Sequence, residues 1–149
     1  MPASSLNRLA VMATTHCLIG CAIGEVTGMA IATALGWGNV AQIATAVLLA
    51  YVFGFGLTAV PLVRAGLPAL TVVSTALAAD TVSITIMEVI DNATVLLIPS
   101  AMDAGPADPL LYASIALGFA IAYPFAFVAN RYMIARGRGH AVVHEHDGA

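Results

Sequence analysis

Four long apolar stretches, separated by short segments with glycine, proline and polar residues, constrain this chain more than any other feature. They run over about residues 9–35, 40–63, 67–98 and 110–134. Only 9% of the residues are charged and 60% are hydrophobic, a balance that a soluble domain of this size does not need. Because about 20 apolar residues in a helix cross a bilayer core of about 30 Å, the pattern predicts an all-α integral membrane protein with four transmembrane helices.

The third apolar stretch is unusual in its length. From residue 67 to residue 98 it contains 32 residues, which span about 48 Å at about 1.5 Å per helical residue. This length exceeds the hydrocarbon thickness. We therefore expect the third helix to be long and tilted, or broken into two. In the fourth stretch, Pro124 marks a possible kink.

The positions of the basic residues predict the orientation. All five are arginines at or beyond a predicted membrane edge: Arg8, Arg64, Arg131, Arg136 and Arg138. The loop on the opposite side carries Asp103 and Asp108 and no base. The positive-inside rule then predicts a multi-pass protein of the cell inner membrane. Its parts are a cytoplasmic N-terminus (1–8), a transmembrane domain (9–135) and a cytoplasmic tail (136–149).

The first stretch also contains two short cleavage-like patterns. Leu18-Ile19-Gly20-Cys21 matches a lipoprotein box, and Ala32-Thr33-Ala34 resembles a signal peptidase site. However, the apolar span continues well past Cys21, where a lipoprotein would have a polar tether. We expect this segment to remain as the first transmembrane helix.

Two patterns with a spacing of four residues overlap in the first span. Gly20, Gly24 and Gly28 form a ridge of small residues that lets another helix approach closely. Beside it runs a stripe of potential ligands: Cys17, Cys21, Glu25 and Met29. Cysteine, methionine and glycine are also ordinary packing residues in membrane helices. Because a bundle this small has little core of its own, we expect it to form a homo-oligomer.

Acidic residues inside the apolar spans do not fit a purely structural interpretation. Glu25 lies in the first span, and Asp80, Glu88 and Asp91 lie in the third. An ionisable group inside a bilayer is costly unless it is protonated or paired. The spans contain no lysine and no arginine apart from Arg131 at a membrane edge, so protons, hydrogen-bond donors or a bound cation must neutralise the acids. We assign these four residues to charge balance or proton coupling.

The remaining polar and sulfur-containing residues indicate which kind of cation could neutralise the acids. Thiol, thioether and imidazole groups favour copper(I), our preferred ion, or zinc. The predicted ligands are His16, Cys17, Cys21, Met29 and Met87. Three histidines of the tail, His140, His144 and His146, form a possible metal-capture segment that could exchange metal with a cytoplasmic carrier. The alternative is that the tail is simply solvated and disordered.

Motifs along nearly the whole chain are typical of one family. They are His16-Cys17, Gly20-Cys21, Gly24-Glu25, Gly28-Met29, Met87-Glu88, Asp91-Asn92, Pro99, Ala101-Met102, Ala104-Gly105, Asn130 and residues 136–142. The chain resembles a small prokaryotic multi-helix membrane-protein family that is catalogued as a domain of unknown function, number four-three-nine-six. The resemblance implies a compact membrane domain. It implies no reaction, ligand or site residue.

These observations lead to one functional hypothesis and two alternatives. The hypothesis is an oligomeric membrane protein that binds and translocates a soft metal cation. The first alternative is a non-transporting membrane scaffold or metal-cofactor assembly factor, which would pair with partner helices. The second is a membrane oxidoreductase, but no nucleophile and base or haem-ligand pair is visible, so we do not expect an enzyme. The sequence has no basic stretch that could follow a phosphate backbone, which excludes nucleic acid as a predicted partner.

Overall fold

The computed structural model of the chain describes residues 2–105 and 107–138. Those residues form four α-helices and no strand: α1 (Ala3–Ala34), α2 (Asn39–Arg64), α3 (Ala69–Leu97) and α4 (Pro109–Ala135). Each helix is long and apolar enough to cross a membrane. The predicted fold class is therefore confirmed. The three tail histidines, His140, His144 and His146, lie outside the described residues.

The third helix is continuous. α3 contains 29 residues, about 43 Å of helix, so its excess over the bilayer core must be taken up by tilting or by protrusion. α1, with 32 residues, is longer still. α4 continues through Pro124.

Short turns join the first three helices. Residues 35–38 connect α1 to α2, and residues 65–68 connect α2 to α3. Each turn contains a glycine with positive φ, Gly36 at 69° and Gly66 at 81°, a conformation that side chains with a Cβ rarely adopt. The longer 98–108 segment leads to α4, where the Asp108 side chain accepts a hydrogen bond from the Leu110 N–H at 2.9 Å. This contact caps the helix N-terminus.

The helices alternate in direction, so α1 and α3 are parallel to each other. α1 contacts every other helix and meets α3 across the diagonal of the bundle. We call the end that contains the five arginines the arginine end, and the end formed by residues 35–38 and 98–108 the acidic-loop end. Large apolar side chains such as Ile19, Leu48, Val89 and Phe125 are exposed on the outside, where lipid is their natural surrounding.

The glycine ridge of α1 packs against α2 of the same chain. A Cβ atom added at Gly20 would lie 2.7 Å from the Gly54 Cα, and one added at Gly28 would lie 2.6 Å from the Ala46 Cα. Between them, a Cβ at Gly24 would collide with the backbone of Ala50. Only glycine allows this approach. Because α2 occupies the ridge, the prediction of a homo-oligomer gains no support from it.

Candidate functional site

A column of buried polar side chains runs along the interior of the bundle, mainly between α1 and α3. Its members are Thr14, Cys17, Cys21 and Glu25 of α1, Asp80, Ser83, Glu88 and Asp91 of α3, and Asn130 of α4; all are buried. The predicted acidic face of α3 thus points inward. From Thr14 to Glu25 the column extends over about 16 Å, at about 1.5 Å per residue.

The first thiol of the column pairs with a carboxyl group. The Cys17 Sγ lies 3.6 Å from Asp80 Oδ1 and donates a weak hydrogen bond to it. Ser83 also lies within hydrogen-bonding reach of the same thiol. Both cysteines are free and buried. A thiol and a carboxyl group that face each other are two potential metal donors on two different helices.

The second thiol lies one helical turn further along, where three more acids of the column are found. Cys21 is next to the carboxyl group of Glu88. The carboxyl groups of Glu25 and Asp91 face each other at the same depth or just beyond it. Apart from each other, neither of these two carboxyls has a hydrogen-bond partner among the described residues. Two adjacent buried carboxyl groups cannot both be charged unless a cation lies between them. Without a cation, the pair must hold a proton.

The Glu88 carboxyl is only half satisfied. The Asn92 side-chain amide donates to Glu88 Oε2 at 3.3 Å and to the Glu88 backbone carbonyl at 2.9 Å. The other carboxyl oxygen, Oε1, has no hydrogen-bond partner among the described residues. This oxygen is buried, and the Cys21 thiol lies within hydrogen-bonding reach of the same carboxyl.

A glycine on α4 creates the space for one of the acids. A Cβ atom at Gly118 would lie 2.9 Å from the Asp91 Cα and would collide with the Asp91 carboxyl oxygen. The absence of a side chain at this position lets α4 close over Asp91. Gly118 could not be identified from the sequence, because a single glycine in an apolar span carries no signal of its contact.

A neutral hydrogen-bonded cluster occupies the part of the column closest to the arginine end. The Asn130 amide of α4 donates to Thr14 Oγ1 at 3.0 Å and to Ser83 Oγ at 3.1 Å, which joins three helices. Thr14 in turn donates to the Ala10 carbonyl at 2.7 Å. We call Thr14, Ser83 and Asn130 the amide cluster. In the sequence, Asn130 appears only within a family motif, although an amide in an apolar span indicates a contact between helices.

The predicted metal ligands do not all lie together. Met87 is buried in the same core cluster as both cysteines. Met29 belongs to the same buried cluster, but it lies twelve residues beyond Cys17 along α1, about 18 Å away. The His16 ring is directed towards α2, where its Nε2 is 2.9 Å from Thr58 Oγ1. One ion could therefore not bind all five residues.

The separate side chains also do not form a ready coordination shell. Within residues 2–105 and 107–138, no group of three His, Cys, Asp or Glu side chains is arranged to hold a metal ion. The closest arrangement is the pairing of Cys17 with Asp80 and of Cys21 with Glu88, in which each pair has one donor from α1 and one from α3.

The arginines lie away from the column. Arg8, Arg64, Arg136 and Arg138 are exposed, and Arg131 is half-buried. The Arg131 Nε donates to Asn7 Oδ1 at 2.7 Å, and the Arg136 guanidinium lies 3.8 Å from the centre of the Tyr132 ring. These contacts hold the cationic groups at the arginine end. The four buried acids thus have no arginine beside them.

Comparison with known proteins identifies the family. Residues 6–139 match the family described as Domain of unknown function (DUF4396). This match covers most of the chain, so the chain belongs to that family, as its motifs indicated. No curated protein and no solved structure matches the chain.

Proposed function

We propose that this member of a family of unknown function binds a soft metal cation within its helical bundle and carries it across the membrane in exchange for protons. The observation that carries the proposal is the facing of thiols on α1 and carboxyls on α3, with Glu25 and Asp91 beside them. Burying such groups in a membrane interior is energetically costly, and proteins retain them mainly where they have a function.

The neighbours of the thiols bear on the choice of metal. Copper(I) is best held by sulfur alone, whereas zinc binds sulfur together with carboxylate oxygen. Each cysteine faces a carboxyl group, Asp80 or Glu88, while Met29 lies far from Cys17 along the helix. These placements favour zinc, the second ion of the sequence-based hypothesis, over copper(I).

Proton exchange follows from charge balance. A zinc ion that binds one thiol and one carboxylic acid releases two protons, because both groups bind metal in their deprotonated form. The charge of the interior then stays unchanged as the metal replaces the protons. The Glu25 and Asp91 pair provides a further place for a proton beside the metal. The chain has no nucleotide-binding motif that could supply ATP-driven transport.

Elemental analysis of the full-length protein in detergent tests metal binding. After incubation with Zn²⁺ and removal of the excess, we expect stoichiometric zinc on the wild-type protein. The double variant Cys17→Ser and Cys21→Ser should retain only background zinc, since serine preserves size but removes the soft donor. Met12→Leu provides the sulfur control, because Met12 is exposed on the outer face of α1.

Liposomes that contain the protein test transport. With a zinc dye and a pH dye enclosed, uptake of Zn²⁺ should raise the zinc signal and lower the proton concentration inside, and the double variant should show neither change. A wild-type protein without bound zinc or copper would count against the proposal. That result would favour the scaffold alternative, which requires no metal.

The remaining expectations concern the surroundings of the protein. We propose an inner-membrane location with both termini in the cytoplasm, supported by the arginines at one end of the bundle. A reporter fused after Ala149 should then be active only in a cytoplasmic format, and one inserted between Asp103 and Asp108 only outside.

A homo-oligomer and metal capture by the histidine tail remain part of the proposal. Native mass spectrometry tests the first, and deletion of residues 140–149 tests the second.

A further inference from the structure

One side chain belongs both to the amide cluster and to the surroundings of the first thiol. Ser83 Oγ accepts a hydrogen bond from the Asn130 amide at 3.1 Å, and it lies within hydrogen-bonding reach of the Cys17 thiol. All three side chains are completely buried. Ser83 therefore links the neutral part of the column to the part that offers metal donors.

The Ser83 hydroxyl differs from other buried hydroxyls of the bundle. Thr14 and Ser114 each donate to the backbone carbonyl four residues earlier, at 2.7 Å, which is a common contact for a hydroxyl within a helix. Ser83 makes no such bond within the part of the chain that the structure describes. Its proton is therefore available for a neighbour on another helix.

The neighbours of Ser83 determine the direction in which this proton points. The Thr14 hydroxyl donates its proton to the Ala10 carbonyl, so it can only accept a hydrogen bond from Asn130. The Asn130 amide must then present its NH₂ group on that side, where the nitrogen is 3.0 Å from Thr14 Oγ1. The second N–H of this group donates to Ser83 Oγ. Because the Ser83 oxygen accepts from Asn130, the Ser83 proton is left for the Cys17 sulfur.

The hydrogen bonds continue from the sulfur to a carboxyl group. The Cys17 S–H donates to Asp80 Oδ1, with 3.6 Å between sulfur and oxygen. A metal ion bound by both groups would take the place of this proton, because thiols bind metals as thiolates. The hydrogen bond from Ser83 comes from a separate donor, so it can persist when the metal replaces the thiol proton.

We infer that Ser83 is a positioning residue for the Cys17 sulfur: its hydroxyl donates a hydrogen bond to the thiol and keeps donating once the sulfur holds a metal ion. The metal part of this inference rests on the proposed function, whereas the hydrogen bond does not. A donor at the sulfur offsets negative charge that the membrane interior cannot solvate. The amide cluster thus supports the candidate metal site in addition to joining three helices.

Infrared spectroscopy of the full-length, metal-free protein tests the hydrogen bond directly, through the S–H stretching band. The chain has two cysteines, so the Cys21→Ala background leaves the band of Cys17 alone. Ser83→Ala should move this band to higher wavenumber, because the S–H bond to Asp80 weakens when the sulfur no longer accepts a hydrogen bond. Ser114→Ala is the matched control, since the Ser114 hydroxyl bonds within α4, and it should leave the band unchanged.

A second variant tests the same contact through the amide. Thr14→Val keeps the size of the side chain but removes the hydroxyl that fixes the Asn130 amide. It should move the Cys17 band in the same direction as Ser83→Ala, by a smaller amount. Unchanged bands in both variants would overturn the inference, whether or not the protein binds metal.

Zinc affinity separates this inference from the proposed function. Measured by competition with a chelator, zinc binding by Ser83→Ala should be about 10- to 100-fold weaker than in the wild-type protein, as is typical when an outer contact of a metal ligand is lost. Ser114→Ala should bind as the wild type does. Wild-type affinity in Ser83→Ala would overturn the role of Ser83 in metal binding. A shifted band in a protein that binds no zinc would contradict the proposed function and still support the hydrogen bond from Ser83.

Discussion

Two faces of the same helix, α1, follow opposite principles. The face with Gly20, Gly24 and Gly28 lies against the backbone of α2 and has no room for a single added carbon. The neighbouring face carries Cys17, Cys21 and Glu25 and meets polar side chains of α3. The first face gains stability from close contact. The second buries two acids, Glu25 and Asp91, that have no hydrogen-bond partner among the described residues apart from each other.

The glycine face of α1 holds the bundle together, whereas the polar face provides groups that a ligand could bind. Packing of small residues in a membrane works through van der Waals contact and requires no chemistry from the side chains. Unpaired buried acids lower stability, and proteins retain such groups mainly at functional sites. Substitution of a ridge glycine and substitution of an unpaired buried acid should therefore change stability in opposite directions.

The largest effect is expected on the glycine face. Gly24→Leu would drive a side chain into the Ala50 backbone and should lower the free energy of unfolding in detergent by about 3 kcal/mol or more. Gly56→Leu is the control, because Gly56 has open space around it. If the two variants unfolded at the same denaturant concentration, the contact between α1 and α2 would not be the main support of the bundle.

A smaller loss is expected at the amide cluster, where the Asn130 N–H groups donate hydrogen bonds to two other helices. Asn130→Ala removes two hydrogen bonds, leaves a space among three helices and should cost about 2 kcal/mol in the same unfolding measurement. Ser74→Ala, which removes an exposed hydroxyl bonded within α3, should have little effect. Equal stability of the two variants would show that Asn130 does not join the helices.

A gain is expected where the polar face is not satisfied. Glu25→Gln replaces a buried acid by a neutral amide of the same shape, which can donate to Asp91. We expect the metal-free protein to become more stable by about 1 kcal/mol and to bind less zinc. A loss of stability in this variant would mean that Glu25 serves the fold rather than a ligand.

The smallest effect is expected on the third face of α1, which lies towards lipid. Ile19 is 47% exposed, and Ile19→Ala exchanges one apolar surface for another in the membrane. The unfolding free energy should change by less than about 0.5 kcal/mol. A change as large as that of Asn130→Ala would indicate that Ile19 is covered by another chain, which would support the homo-oligomer.

The fold could be predicted from the sequence because each helix has to span the bilayer. The four apolar stretches match the four helices, and the turns at Gly36 and Gly66 appear where glycine interrupts the pattern. The continuity of α3 could not be predicted. Polar residues such as Asp80 and Glu88 interrupt the apolar pattern of α3, as residues at a break between two helices would. Their burial against α1 explains why the helix is nevertheless continuous.

The site could be predicted only in part. Periodicity identified the faces that carry Cys17, Glu25 and Asp91, because residues four apart share one side of a helix. It could not predict which residues on different helices meet. The pairing of Cys17 with Asp80 and the space that Gly118 leaves for Asp91 depend on the relative register of the helices, which a single sequence does not reveal.

The tight glycine seam also bears on how the bundle could move. α1 and α2 share the most extensive contact in the bundle, and α3 and α4 share the next. The two hairpins are therefore the two halves of the bundle, and each helix pair that joins the halves has a smaller contact than the pair within either half. A rocking motion would then take place between the halves, where Glu25 faces Asp91. Opening of the interface between the halves would separate the carboxyls of Glu25 and Asp91, and closing would bring them together. On the proposed function, the cation would be bound in one of these two positions and released in the other.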